Sequence, residues 1–434
     1  MDSSVILAII ALAGMIALLA TGLEVAWSIG IIAVIALVLL VNQPLNQLAW
    51  SAWNATNSFT LTAVPLFLLM GAILSKCGVG EALYTGVERW LDRLPGALGC
   101  TTVAASGIFA AISGSTAAST ALFGKVAFPS MESRGYSPRI SLSSICMGAT
   151  LASTIPPSLL LIVYGTWQGV SIVALFAAAL IPGVIQATLY IITIVIRVKL
   201  NPRLAPAAVR YSWREKFAAI GQVFPFLLLV AGVLGSIFLG VMTPTEAASL
   251  GAILSLVLAL AYRRLTWKIF KASLLDAVSM TSFVVFLLAM TVGLAHALNM
   301  LGIAHQLSQF MLALPIGKYG TIIVFIVFYI ILGCFMSPWE MLFLTFPFVM
   351  PIITGYNINL IWWGVLYILL GDISNVTPPF GYILFVLHSA IGGKYSAETI
   401  AISCLPFFGP ILLLIAALIA FPQIALWFPS ILLS

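Results

Sequence analysis

Residues 148–165 read GATLASTIPPSLLLIVYG, an apolar stretch with two adjacent prolines, Pro156 and Pro157, at its centre. Proline removes an amide donor and clashes with the preceding turn, and it drives the residue before it out of helical geometry, so Pro-Pro breaks a membrane helix. The same device recurs in VTPPFGYILFV, residues 376–386, where Pro378 and Pro379 stand 222 positions after the first pair. Ser115 and Ser337, Pro129 and Pro351, Thr21 and Thr243, and Glu24 and Glu246 are separated by the same 222 positions. Leu and Ala coincidences carry no weight in a chain that is 62% hydrophobic, but Pro and Glu are scarce enough to align two halves. We read two structural repeats, residues 1–200 and 222–434, joined across 201–221 by a basic linker whose charges run from Lys199 to Lys216.

With 62% hydrophobic and 7% charged residues in 434, the chain lies far outside soluble composition, where about 45–50% is apolar and about 25% charged. It is an all-α polytopic membrane protein, and soluble enzyme, disordered tail and nucleic-acid binder are excluded. Cys77, Cys100, Cys146, Cys334 and Cys404 are dispersed without C-x-x-C spacing, which suggests small core residues. The Met-Asp-Ser-Ser start lacks the basic flank and cleavage site of a secretory signal, so the first helix is expected to be retained.

Hydropathy places spans near 5–21, 25–41, 60–75, 140–164, 171–198, 222–242, 246–262, 278–299, 358–388 and 398–421. The apolar stretches 97–133 and 319–353 are broken in the middle by Ser113-Gly114-Ser115 and by Met336-Ser337-Pro338, and each reads as a re-entrant hairpin of two half-helices. Two longer spans, 140–164 and 358–388, are the Pro-Pro broken helices. A first repeat with five crossings and one hairpin inverts the second. If the linker is cytoplasmic, 16 of the 18 basic residues fall on the inside, with Lys318 left outside and Lys125 within the first hairpin. Both chain ends are then expected outside, and the hairpins open from opposite faces.

Non-helical backbone at membrane depth is tolerated only where protein, water or a bound ion satisfies it. Inverted repeats with discontinuous helices are the pattern of secondary transporters, whose half-helix ends and unwound carbonyls hold the coupling ion. His296, His305 and His388 lie on different segments and form no ligand cluster; oxygen donors suit sodium, and no other metal is expected. Each hairpin tip is expected to pair with the broken span of its own repeat. The first sodium site draws on Ser113, Gly114, Ser115, Ser153, Thr154 and Pro156, the second on Met336, Ser337, Asn375, Thr377 and Pro378. A bland reading, small residues that merely permit close helix packing, stands beside each of these positions. A substrate between the tips would meet Ser115, Thr116, Ser337, Asp372, Pro157 and Pro379, and half-helix N-termini there favour an anion.

ISGSTAASTALFGKVAFPSMESRGYSPR (112–139), GATLASTIPPSLLLIVYG, GVMTPTEAASLGA (240–252) and VTPPFGYILFV together resemble the large membrane subunit of tripartite ATP-independent periplasmic (TRAP) transporters. The resemblance spans essentially the whole chain. It implies an elevator-type, sodium-coupled importer of carboxylates or related organic anions in a bacterial inner membrane. It also implies two partners, a small four-helix membrane subunit and a periplasmic substrate-binding protein. The family's hairpin and broken-helix positions map onto Ser113, Gly114, Ser115, Pro156 and Pro157, and onto Thr377, Pro378 and Pro379. Asp372 and Asn375 in GDISNVTPPFG, and Ser-Pro-Trp-Glu at the second tip, depart from the dicarboxylate and sialic acid members.

Asp372 lies inside an apolar span, where an ionisable residue is a functional candidate by default. Glu24 and Glu246 follow Thr21 and Thr243 at capping-box spacing, with Pro244 suited to a first helical position. Glu340 suits the start of a half-helix, and Lys125 is placed to snorkel to the cytoplasmic interface. Glu81, Glu88, Arg89, Asp92 and Arg93 read as a solvated surface helix. Residues 42–59 with Trp50 and Trp53, and their counterpart 264–281 with Trp267, read as interfacial helices bracing a scaffold formed by 1–60 and 222–280. No nucleotide-binding, HExxH or GxSxG motif is present, which speaks against a pump or an intramembrane enzyme. A stand-alone carrier without a binding protein is the nearest rival, followed by a passive channel.

Overall fold

The computed structural model describes residues 10, 13–15, 17–19, 21–78, 80–207 and 209–432. The span expected at 5–21 and the extreme chain ends lie largely outside the described residues. Every regular element among those described is helical, as hydrocarbon demands of the backbone. Among the described residues eight helices, or nine if the bent pair Ile303–Ala313 and Gly317–Gly333 is one span, are long and apolar enough to cross a bilayer.

The interruptions fall where the sequence put them. Residues 97–133 fold as Ala97–Ser113 and Thr116–Ser133, and the second hairpin pairs Gly317–Gly333 with Pro338–Gly355. The broken spans are Pro138–Thr154 with Leu159–Gln168, and Leu360–Asn375 with Tyr382–Ala390. The order of elements repeats at the 222-residue offset, so that Pro338–Gly355 overlays Thr116–Ser133 end to end.

The broken spans form the centre. Residues 140–165 are buried throughout, and both arms of the first hairpin lie along Pro138–Thr154, as both arms of the second lie along Leu360–Asn375. Gly148 lets this happen: a Cβ there would stand 2.9 Å from Ser106 Oγ on the facing hairpin arm. The halves interlock through Pro138–Thr154 against Leu360–Asn375 and Thr116–Ser133 against Tyr382–Ala390. Trp167 stacks on Phe343 and Phe346 with ring centroids 5.8 and 5.6 Å away. To one side, Val25–Ile35, Pro244–Ala261 and Trp267–Met300 pack with Ala63–Lys76 into a second group.

Several local expectations are corrected. Residues 264–281 do not form a separate interfacial helix; they open the continuous helix Trp267–Met300. In the first repeat Asn57 and Ser58 leave helical geometry between Asn46–Thr56 and the next helix, whereas Ser279 and Met280 at the matching positions stay helical. The linker is shorter than 201–221, because a capping box of Ser212 and Glu215 starts Trp213–Phe238 inside the basic run. Thr243 and Glu246 form the expected capping box, but Glu24 makes no cap bond. Gly22 at φ +85° keeps the chain out of a helix after Thr21, whose hydroxyl donates to the Leu18 carbonyl instead. The helix Gln423–Leu432, packed on Ile172–Leu200, is an element hydropathy missed.

The charged helix Gly80–Trp90 is not simply solvated. Its side packs on Trp213–Phe238, and Glu88 and Asp92 are buried. Asp92 pairs with Lys216 at 2.6 Å and accepts from the Tyr211 N–H at 2.9 Å. Glu88 accepts from Arg134 at 2.5 Å and from the Tyr211 hydroxyl at 2.7 Å. The linker and Arg134 therefore meet around Glu88 and Asp92.

Candidate functional site: two hairpin tips seated on two helix breaks

The first tip turns on Gly114, whose φ of +56° is left-handed, a conformation that costs a side-chain-bearing residue free energy. A Cβ there would lie 2.6 Å from the Pro157 carbonyl. Glycine is thus required twice, by backbone angle and by close approach. Ser115 then caps Thr116–Ser133 by accepting from the Ala118 N–H at 3.3 Å, and the Ser115 N–H reaches the fully buried Ser113 Oγ at 3.4 Å. Thr116 is half-buried, and its carbonyl takes a bond from the Thr120 hydroxyl at 2.7 Å.

Below this tip the Pro138–Thr154 half-helix stops at Ile155 in extended geometry, and the cis Pro156-Pro157 bond leads to Ser158, which caps Leu159–Gln168. Among the described residues no donor reaches the carbonyls of Ile155, Pro156 or Pro157. Buried carbonyls are almost always paired. These three have no partner among the described residues.

The second tip is stitched to its break rather than merely fitted. Ser374 donates to the carbonyls of Gly333 and Met336 at 3.2 and 2.9 Å, the Phe380 N–H to Cys334 at 3.0 Å, and the Tyr367 hydroxyl to Pro338 at 2.6 Å. Ser337 and Glu340 form a capping box that starts Pro338–Gly355, so Glu340 is a helix-start acid. In the break itself Thr377 donates to Ile373 at 2.6 Å, Asn375 is buried with no hydrogen bond from its amide, and the carbonyls of Val376, Thr377, Pro378 and Pro379 have no donor among the described residues. The breaks differ in exposure. Pro156 and Pro157 are buried, while Pro378 and Pro379 are open to the surroundings.

Each tip therefore meets the break of its own repeat, and Ser113, Gly114 and Ser115 assemble with Pro156 and Pro157. Ser153 and Thr154 point elsewhere. Both hydroxyls contact the carboxyl of Asp372 from the other repeat, Thr154 at 2.8 Å. Asp372, expected beside the substrate, has no exposed surface; a third donor, Gln186 Nε2 at 2.8 Å, closes it in. Ser374, Tyr367 and Gln186 are structural partners that sequence reasoning missed. Gln186 left a signal, a lone amide in a 29-residue apolar helix.

The two described cavities lie away from the tips. One of about 160 Å³ sits among Glu88, Asp92, Arg134, Tyr136 and Tyr211, and a shallow one of about 530 Å³ among Asn299, His305, Ser308 and Thr354.

The family model described as "Tripartite ATP-independent periplasmic transporter, DctM component" matches residues 12–424. The chain belongs to that family. It is 30% identical to a Salmonella typhimurium protein, YgiK, over 99% of each chain, and 28% identical to the C4-dicarboxylate TRAP transporter large permease protein DctM of Vibrio cholerae over 96% of each. In three dimensions the permease is similar to the YdaH transporter of Alcanivorax borkumensis, with a TM-score of 0.54, 14% identity and 89% of each chain covered, a likeness of fold alone. The hairpins and Pro-Pro breaks thus belong to a TRAP large permease, a multi-pass transport protein.

Proposed function

We propose that the permease is a sodium-coupled importer of a small organic anion, a carboxylate in class, working by an elevator movement in the inner membrane. The supporting observation is that each tip meets the break of its own repeat, and that each break holds carbonyls without a donor among the described residues. Sodium is a small, hard cation satisfied by such oxygens. A cation between tip and break draws both backbones toward itself and neutralises carbonyl dipoles that otherwise face each other in a low-dielectric interior. The half-helices Thr116–Ser133 and Pro338–Gly355 direct their N-termini toward the tips, where a carboxylate is favoured. Ser115, Thr116 and Ser337 are the hydroxyls proposed to meet it, together with the exposed Pro379, whereas Asp372 and Pro157 are enclosed.

The moving unit comprises the hairpins and broken spans; the group around Ala63–Lys76, Pro244–Ala261 and Trp267–Met300 stays still. Membership in the family supports a small four-helix membrane subunit and a periplasmic binding protein as partners, and the name of the Vibrio cholerae relative supports a carboxylate substrate. The linker lies on the cytoplasmic side and both chain ends on the other.

Thermal unfolding of the purified permease in sodium against equimolar choline tests the ion sites. A ligand at a hundred times its dissociation constant stabilises by about 2.7 kcal/mol, so a saturable rise in Tm with sodium alone is expected. Equal melting in both salts refutes sodium sites in this chain.

A further inference from the structure

The last turn of Ile172–Leu200 carries Arg197 and Lys199, and this helix packs along Pro138–Thr154, which has Arg139 in its first turn. The Ser137 N–H donates to the Leu204 carbonyl at 2.9 Å, which lays the short turn Pro202–Leu204, holding Arg203, against the segment that holds Arg139. Arg139 acts on the charge of Arg197, and no carboxylate does. None of Arg139, Arg197, Lys199 and Arg203 has an ion-pair partner among the described residues. Glu88, Asp92 and Glu132 are taken by Arg134, Lys216 and Lys394.

Bringing like charges together costs free energy, and two local features add to the cost here. Arg139 stands at the start of a helix, where the dipole favours an anion rather than a cation. The Arg197 guanidinium lies 5.8 Å from the centre of the Phe407 ring, and its Nη1 is buried without a hydrogen-bond partner. The ring attracts the charge but leaves that donor unmet, and an enclosed charge without a partner is expensive. The cluster is short of an anion.

We propose that Arg139 and Arg197 hold a phosphate group, that of an anionic phospholipid, at the end of the molecule where the basic linker lies. Guanidinium forks match phosphate oxygens two at a time, and a tetrahedral phosphate offers separate oxygens to arginines on two helices. The depth fits a headgroup. Ile172–Leu200 has 29 residues, about 43 Å at 1.5 Å per residue, against a hydrocarbon core about 30 Å thick, so its last turn stands at the interface. The surroundings fit acyl chains. Val184, Thr188, Ile192, Ile196 and Leu200, spaced four apart on one face of the helix, form an exposed stripe that passes Arg197, and Ile402 and Leu405, close to Phe407 in the chain, are exposed as well. The exposed Lys199 and Arg203 add to the local attraction for an anionic headgroup. A phosphate shared by both arginines ties Ile172–Leu200 to the start of the helix that ends at the first break.

Thermal unfolding of the delipidated full chain in detergent tests this, with dioctanoyl phosphatidylglycerol as the probe and dioctanoylglycerol, which has the same chains and no phosphate, as the control. A saturable rise in Tm is expected with the phospholipid alone. Arg197→Gln should raise the half-saturating lipid concentration about tenfold, the worth of one charge-assisted hydrogen bond. Arg139→Gln, at an exposed position, should do the same and serves if Arg197→Gln does not fold. The double variant Lys268→Gln with Lys271→Gln, which removes two exposed cations from the static group, should leave it unchanged. No phospholipid effect, an equal rise with dioctanoylglycerol, or unchanged half-saturation in both arginine variants overturns the proposal. Potassium phosphate is compared with potassium chloride at equal ionic strength. A rise with inorganic phosphate that the phospholipid does not exceed overturns the lipid as the bearer of the group. Sodium is absent throughout, so failure here and failure of the sodium sites are read separately.

Discussion

At Gly114 a single hydrogen in place of a methyl group decides whether the first tip can sit on its break. Gly114→Ala places a Cβ 2.6 Å from the Pro157 carbonyl at a left-handed φ, and strained backbone of this kind costs about 1–3 kcal/mol. A lowered Tm and loss of the sodium-dependent rise are expected, measured in the same melting assay. Asp92 offers a second residue-scale test. Burial pushes its carboxyl up, but the Lys216 hydrogen bond and charge, the Tyr211 N–H and the Arg93 charge outweigh this and hold it below the usual carboxylate range. A folded value below the unfolded one, about 3.9, means that the stabilisation is full above the unfolded value and is lost as pH falls through the folded one. Asp92→Asn should flatten the acid limb of a stability profile. At neutral pH it should cost about 3–5 kcal/mol by leaving Lys216 buried and unpaired, part of which the double variant with Lys216→Met should recover.

The two hairpins hold their breaks by different means, and this difference belongs to whole elements. The first relies on fit, Gly114 against Pro157; the second relies on hydrogen bonds from Ser374, Tyr367 and the Phe380 backbone. Removing the Ser374 hydroxyl strips donors from the Gly333 and Met336 carbonyls, a loss of about 1–3 kcal/mol. Ser374→Ala is therefore expected to speed amide hydrogen exchange in residues 333–338 while leaving 113–118 unchanged; equal change at both tips contradicts independent seating. The positions of both hairpins and both breaks were legible because Pro and Gly act on their own backbone. The stitching by Ser374 was not, since a serine one residue from Asn375 and two from Asp372 carries no mark of which carbonyl it will reach.

For the molecule as a whole, the elevator reading separates contacts that persist from contacts that change. Lys76 pairs with Asp276 at 2.9 Å between two helices of the static group, whereas Gly80 abuts Leu122 on the second arm of the first hairpin. A short bifunctional cross-link between cysteines at 76 and 276 should leave uptake by the reconstituted complex near normal. One between cysteines at 80 and 122 should abolish it; uptake through the second cross-link would refute relative movement there.

What the sequence determined by itself is whatever one segment enforces alone: membrane residence from composition, half-helices from Pro-Pro and Ser-Gly-Ser, and the repeat from scarce residues recurring at one offset. Its failures have local causes too, such as Gly22 spoiling a capping box that its second-repeat counterpart makes, or Ser279 and Met280 continuing a helix that Asn57 and Ser58 end. Only the tertiary structure decided that Glu88 and Asp92 are buried against the linker, and that Asp372 of one half reaches Ser153, Thr154 and Gln186 of the other. The reason is range. A proline or glycine constrains backbone within a turn of itself, whereas a polar side chain enclosed among helices takes whatever donor packing brings, here from residues about 190 to 220 positions away.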